Sequence, residues 1–137
     1  MLFFIHIDII TIGKERLIFL PKIKINYELK SNNDIIKKEL LGIKRKETII
    51  FQDDTVLTNI TISNNNIIIK RDSSDTCLTI FLGDITKGTY LLKDYNKQID
   101  IDISLKEKQV TNNMIYFKYK SNDNKVEYKL YYEVIPC

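Results

Sequence analysis

Residues 55–71, TVLTNITISNNNIIIKR, read as two β-strands joined at Asn64-Asn65-Asn66. In the first strand Val56, Thr58, Ile60 and Ile62 share one face, and Leu57, Asn59, Thr61 and Ser63 share the other. Alternation of period two is the signature of a half-buried strand. The second strand is nearly all isoleucine until Lys70-Arg71. Arg71 keeps the phase of Ile67 and Ile69, so on one register it faces the apolar side chains, and otherwise it lies at the strand end and reaches water.

The same pattern recurs on both sides of this pair. Phe3–Ile12 alternates and ends at Gly13-Lys14-Glu15. Leu17–Leu20 is apolar, and Pro21 stops the ladder because proline has no N–H to donate. Lys22–Lys30 sets Ile23, Ile25, Tyr27 and Leu29 against Lys24, Asn26 and Glu28. Downstream, Thr76–Leu82, Gly88–Leu92 and Ile99–Leu105 read as strands, the last with Ile99, Ile101, Ile103 and Leu105 inward. Asn112-Asn113 opens a strand carrying Ile115, Phe117 and Tyr119, and Ser121–Asn124 turns it into a final strand from Val126 to Val134. Residues 35–51 are open to two readings. A cap at Asn33 or Asp34 and the spacing of Ile35, Ile36, Glu39, Leu40 and Ile43 suit a helix, whereas Gly42 and the β-branched run Thr48–Phe51 suit strands.

Composition agrees with the strands. Ile, Lys and Asn dominate, Ala and Trp are absent, and there are 8 Tyr. Ile and Tyr favour strands, and Ala is the best helix former. The bias also matches AT-rich codons. A chain of 137 residues fits one domain and buries enough surface to need no metal or disulfide. Nine or ten short strands, mostly sequence neighbours, predict an all-β protein: a single antiparallel up-and-down β-barrel, whose closure removes exposed edges. Residues 1–21 are an extension or an extra strand, and 22–135 the barrel core.

Charge and chemistry narrow the functions. The net charge is +3, and the basic residues are scattered, which argues against nucleic acid. The dense run Lys44-Arg45-Lys46 has Glu39 and Glu47 close by and reads as a solvated face. Cys77 and Cys137 form no CxxC, and His6 is the only histidine, so neither a metal site nor a cofactor is expected. Two free thiols suit a reducing compartment. His6 and Asp8 share a strand face but lack a nucleophile or second acid. Asp100 and Asp102 read as solvated surface. With 4 Gly in all there is no glycine-rich phosphate loop. The first residues lack a basic n-region and an A-x-A-like cleavage site, and no stretch approaches the roughly 18 apolar residues of a membrane helix. The expectation is a soluble cytoplasmic protein that makes no membrane contact and is not an enzyme.

The run Lys22–Val134 resembles the YwiB-like family, small uncharacterised proteins of low-GC Gram-positive bacteria and their relatives. The resemblance lies in Gly42, in Val56–Ser63, in Ile69-Lys70-Arg71, in Leu78–Phe81 followed by Tyr90, in Ile99–Ile103, and in the strands Ile115–Tyr119 and Glu127–Glu133. It implies a calycin-like, or lipocalin-like, antiparallel barrel and makes residues 35–47 a strand. Ser73-Ser74 and Asp94-Tyr95-Asn96 stand where the family tends to have glycine, and Gln52 where it has glutamate. The first 20 residues have no counterpart. The family has no established activity, so the resemblance implies a fold and no mechanism.

For a barrel of this kind the expected partner is a small, partly apolar ligand in the interior, in a cavity of a few hundred Å³. Arg71 is the candidate for an anionic ligand head. Tyr90, Tyr119 and Tyr128 are the candidate lining, with Tyr116 and Tyr132 further choices, since tyrosine offers an apolar wall with a polar handle. A protein-interaction module using a strand edge or tyrosine-bearing face is the alternative. Single-stranded nucleic acid through Lys44, Arg45 and Lys46 stands last.

Overall fold

The computed structural model describes residues 21–136. The expected strand Phe3–Ile12, with His6 and Asp8, lies outside the described residues, as does Cys137. Eleven strands follow one another: β1 (Lys22–Ser31), β2 (Asp34–Arg45), β3 (Thr48–Asp53), β4 (Val56–Ser63), β5 (Asn66–Asp72), β6 (Thr76–Leu82), β7 (Lys87–Leu92), β8 (Lys97–Ile101), β9 (Ile103–Val110), β10 (Met114–Ser121) and β11 (Asn124–Val134). One 3-10 turn, Lys93–Tyr95, interrupts them between β7 and β8.

The strands form one antiparallel sheet in the order β8-β7-β6-β5-β4-β3-β2-β1-β11-β10-β9. Each strand up to β8 lies beside its sequence neighbour, and β1 joins β11 through the register Ile25↔Tyr132 and Tyr27↔Leu130. The two ends of the sheet, β8 and β9, are consecutive in the chain and separated only by Asp102. β8 pairs with β7, and β9 pairs with β10. A single bent segment, residues 97–110, therefore spans the seam of a nearly closed up-and-down barrel.

That bend corrects the reading of Ile99–Leu105 as one strand with four inward residues. Ile103 is buried at 8% exposure, but Ile99 is 42% exposed. It sits on the terminal strand of the sheet, where one edge is uncovered. At the seam a Cβ on Gly88 would lie 2.5 Å from Ile103 Cδ1, so the missing side chain lets β9 close against β7.

Residues 34–45 form a strand and not a helix. Gly42 is the reason the sheet closes there. A Cβ at that position would lie 2.6 Å from the Ile50 carbonyl oxygen and 2.7 Å from Ile25 Cδ1. Ile25 and β3 occupy the space a side chain would need.

Asparagine does the work in the turns that glycine often does elsewhere. Two-residue connections carry a positive φ at Asn32 (57°), Asp54 (55°), Asn64 (49°), Asn65 (69°) and Asn122 (54°). Asn and Asp tolerate this region because a short polar side chain bonds locally. Lys46 (φ 54°) is the exception, and its carbonyl accepts a hydrogen bond from Lys44 Nζ at 2.8 Å. Two members of the basic run are thus built into a turn.

The interior has two unlike ends. Ile23, Ile60, Ile67, Leu82, Ile115 and Leu130 are almost fully buried and fill one end. Aromatic side chains, Tyr27, Phe51 and Phe117, continue the core toward the other, which is ringed by the turns at Asn32, Asp54, Ser74 and Asn122. A cavity lies at this second end.

Candidate ligand site in the barrel interior

The cavity has a volume of about 230 Å³. Its two walls come from opposite arcs of the barrel. β4, β5 and β6 contribute Thr58, Ile69, Arg71, Leu78 and Ile80. β1, β3, β10 and β11 contribute an aromatic wall of Tyr27, Phe51, Phe117, Tyr119 and Tyr128. These positions are inward because each keeps the parity of a core residue on its own strand: Arg71 with Ile67 and Ile69, Tyr119 with Ile115 and Phe117, Tyr128 with Leu130.

The rings of the aromatic wall touch in sequence. Tyr27 stacks on Tyr128 (centroids 5.5 Å apart, planes 12° apart), and Tyr128 on Phe117 (5.0 Å, 10°). Phe117 continues to Tyr119 at 6.0 Å, and Tyr27 to Phe51 at 6.0 Å with a 33° tilt. Each such pair adds about 0.5–1.5 kcal/mol beyond burial, so this wall is stiff.

Asp53 is the one acidic residue in the lining. It accepts from Tyr27 Oη at 2.6 Å and from Lys38 Nζ at 2.7 and 3.0 Å. Burial alone would raise its carboxyl, but the hydrogen bonds from Lys38 and Tyr27 and the charges of Lys38 and Arg71 outweigh it and hold the group below the ordinary carboxylate range. The Tyr27 phenol is pushed up by burial and by the Asp53 carboxylate it donates to. β3 pairs with β2 only from Gly42 to Arg45, so the Lys38–Asp53 contact ties the two strands where their ladder has ended.

The remaining polar groups are differently placed. Burial raises the Tyr128 and Tyr119 phenols, keeping both as protonated donors at neutral pH. Among the described residues, neither hydroxyl has a hydrogen-bond partner, and Arg71 makes no side-chain hydrogen bond and no ion pair. Asp53 is taken by Lys38, and Asp72, the sequence neighbour of Arg71, by Lys93 Nζ at 2.6 Å. Arg71 is exposed on its outer side and reaches the cavity from the rim.

Of the residues singled out in the sequence, the structure brings Arg71, Tyr119 and Tyr128 together around the cavity. Tyr90 does not line it: it lies half-buried on β7 between Leu78 and Ile99, farther round the barrel wall. Tyr116 alternates outward and donates to Glu127 at 2.8 Å; burial and that carboxylate push its phenol up to about 12. Tyr132 donates to the Asn112 carbonyl at 2.6 Å, away from the cavity. Asp100 and Asp102 are exposed. Cys77 is half-buried with a free thiol. Sequence reasoning missed Tyr27, Thr58, Lys38 and Asp53 as site residues. Tyr27 was legible in the alternation of β1. Asp53 keeps the parity of Ile49 and Phe51 but stands in a Gln-Asp-Asp run that reads as a turn.

Among the described residues, no helix is long and apolar enough to cross a membrane, which says nothing of strands. No protein-family model and no curated protein matches the chain. Among solved structures the chain is similar to the crystal structure of the ywiB protein from Bacillus subtilis, with a TM-score of 0.57 and 12% identity over 85% of this chain and 93% of that one. The likeness is one of fold: a YwiB-like barrel.

Proposed function

We propose that this protein is a non-enzymatic, cytoplasmic, calycin-like β-barrel that binds a small, partly apolar ligand in its interior. The observation that carries this reading is the cavity of about 230 Å³, walled by five linked aromatic rings, Tyr119 and Tyr128 among them, and by Arg71. Ligand sites combine mostly apolar walls with a few convergent polar groups, and this volume falls just under the roughly 300–1,000 Å³ of drug-sized pockets. The ligand is accordingly small. Native mass spectrometry of the protein purified from its own host tests the reading. A reproducible added mass that leaves on mild activation supports it, and a bare chain in every preparation overturns it.

A second reading is favoured by one feature, the outer edge of β2. Asp34–Leu41 pairs with β1 on one side and with no described strand on the other. Ile35, Ile36 and Leu41 on this stretch are 59%, 45% and 60% exposed. An open edge with apolar side chains is a template for strand addition by a protein partner. Light scattering and pull-down from host lysate check it: a strictly monomeric protein with no retained partner counts against this edge as an interaction surface.

A further inference from the structure

We infer that the interior site takes a small monocarboxylate with an apolar body, a class that rests on the interior-binding reading and makes it specific. The polar groups of the lining offer more free donors than free acceptors. Thr58, Arg71, Tyr27, Tyr119, Tyr128 and Asp53 are the polar groups that decide it. Asp53 already accepts one contact from Tyr27 and two from Lys38, three of its roughly four acceptor sites. Tyr27 has spent its proton on Asp53. The groups left over are the Arg71 fork and the hydroxyls of Tyr119, Tyr128 and Ser31, which have no partner among the described residues. Thr58, buried at 4% exposure beside Arg71 in the β4–β5 register, adds a hydroxyl on the same wall as Arg71. A cavity with surplus donors is completed by a ligand that brings acceptors.

Charge selects among such ligands. Lys38 and Asp53 cancel, which leaves the single positive charge of Arg71 facing the space. One carboxylate matches it; a phosphate monoester, with nearly two negative charges, leaves an unmatched charge against an apolar wall. Guanidinium and carboxylate also match in shape, since two parallel N–H groups meet two oxygens. Arg71 sits at the rim with Leu78 opposite it in the β5–β6 register, and Ile69 and Ile80 lie one step further in. The carboxylate therefore lies at the mouth and the apolar body below it. The volume equals that of roughly eight waters in the liquid, enough for a ring or a short chain and too small for a long fatty acyl group.

The test uses the full-length protein and four probes: octanoate, benzoate and their uncharged amides, octanamide and benzamide. Binding is followed by calorimetry and by the backbone amide NMR signals of Thr58, Ile69, Arg71, Tyr119 and Tyr128. Each carboxylate should bind at least tenfold more tightly than its amide. Arg71→Gln should remove that preference while leaving the amide affinity within twofold. Arg71→Lys, which keeps the charge and loses the fork, should fall between. Tyr119→Phe and Tyr128→Phe should each weaken the carboxylate severalfold without weakening the amide. Equal binding of acid and amide overturns the monocarboxylate and leaves the interior reading standing. Carboxylate binding that survives Arg71→Gln unchanged overturns the assigned anchor and with it the proposal. If no probe shifts the signals of the cavity residues, both the proposal and the interior reading fail.

Discussion

Asp53 shows how one residue combines stability with the chemistry of the site. It joins β1, β2 and β3 by accepting from Tyr27 and Lys38, and among the described residues it leaves Arg71 without a carboxylate. Its carboxyl is held low in the folded state, so the folded protein binds fewer protons than the unfolded chain as pH falls. The stability it contributes is present above the unfolded value, about 3.9, and is lost as pH drops through the lower folded one. Asp53→Asn should cost about 1–3 kcal/mol at neutral pH, the range for hydrogen bonds involving a charged group. Urea unfolding of both proteins should show the gap narrowing below roughly pH 4. A gap that stays constant down to pH 2 assigns the loss to packing instead. The phase of Arg71 was legible in the isoleucines before it. Its lack of a partner was not, because that depends on Lys38 and Lys93 reaching Asp53 and Asp72 from other elements.

The elements were the most legible level. Ile, Tyr and Phe at every second position mark most of the strands, and Asn and Asp mark the places where the backbone must reach positive φ. The turn between β4 and β5 is the clearest case, with both Asn64 and Asn65 at positive φ, as a tight hairpin of matching twist requires. Asn65→Gly should hold or slightly raise the melting temperature. Asn65→Val should cost about 1–3 kcal/mol, since a β-branched residue is strained there. Thermal melts of the two variants side by side check this. One element was open between two readings, and one strand reading needed correction. Charged residues between the apolar positions of 35–47 imitate helical spacing, and the ladders to β1 and β3 decide for the strand. The break at Asp102 preserves the parity of Ile99, Ile101, Ile103 and Leu105, so a bend there leaves the alternation unaltered.

At the scale of the molecule the barrel is half plug and half cup. The plug of Ile23, Ile60, Ile67, Leu82, Ile115 and Leu130 holds the sheet together, and burying each such side chain contributes about 1.5–3 kcal/mol. The cup gives up part of that packing to leave space. Leu82 and Leu78 are on the same face of β6 and test the division directly. Leu82→Ala should cost about 2–5 kcal/mol, the range for opening a hole in a dense core. Leu78→Ala should cost less than half as much, because Leu78 already borders the cavity and is half-buried. Equal losses in denaturant unfolding mean that both ends are packed alike, against the division into plug and cup.

The sequence by itself determined the strands, most of the turns and the up-and-down barrel, and left Arg71 open between the barrel mouth and water. These are local properties: a period of two and a tolerance for positive φ are written into each segment. Only the tertiary structure decided that β8 and β9 meet across one bend, that Tyr90 stands away from the cavity, and that, among the described residues, Asp53 is paired while Arg71 is not. Those outcomes depend on the stagger between strands far apart in the chain. A cavity is the space that side chains from seven strands leave between them, so no single segment encodes it.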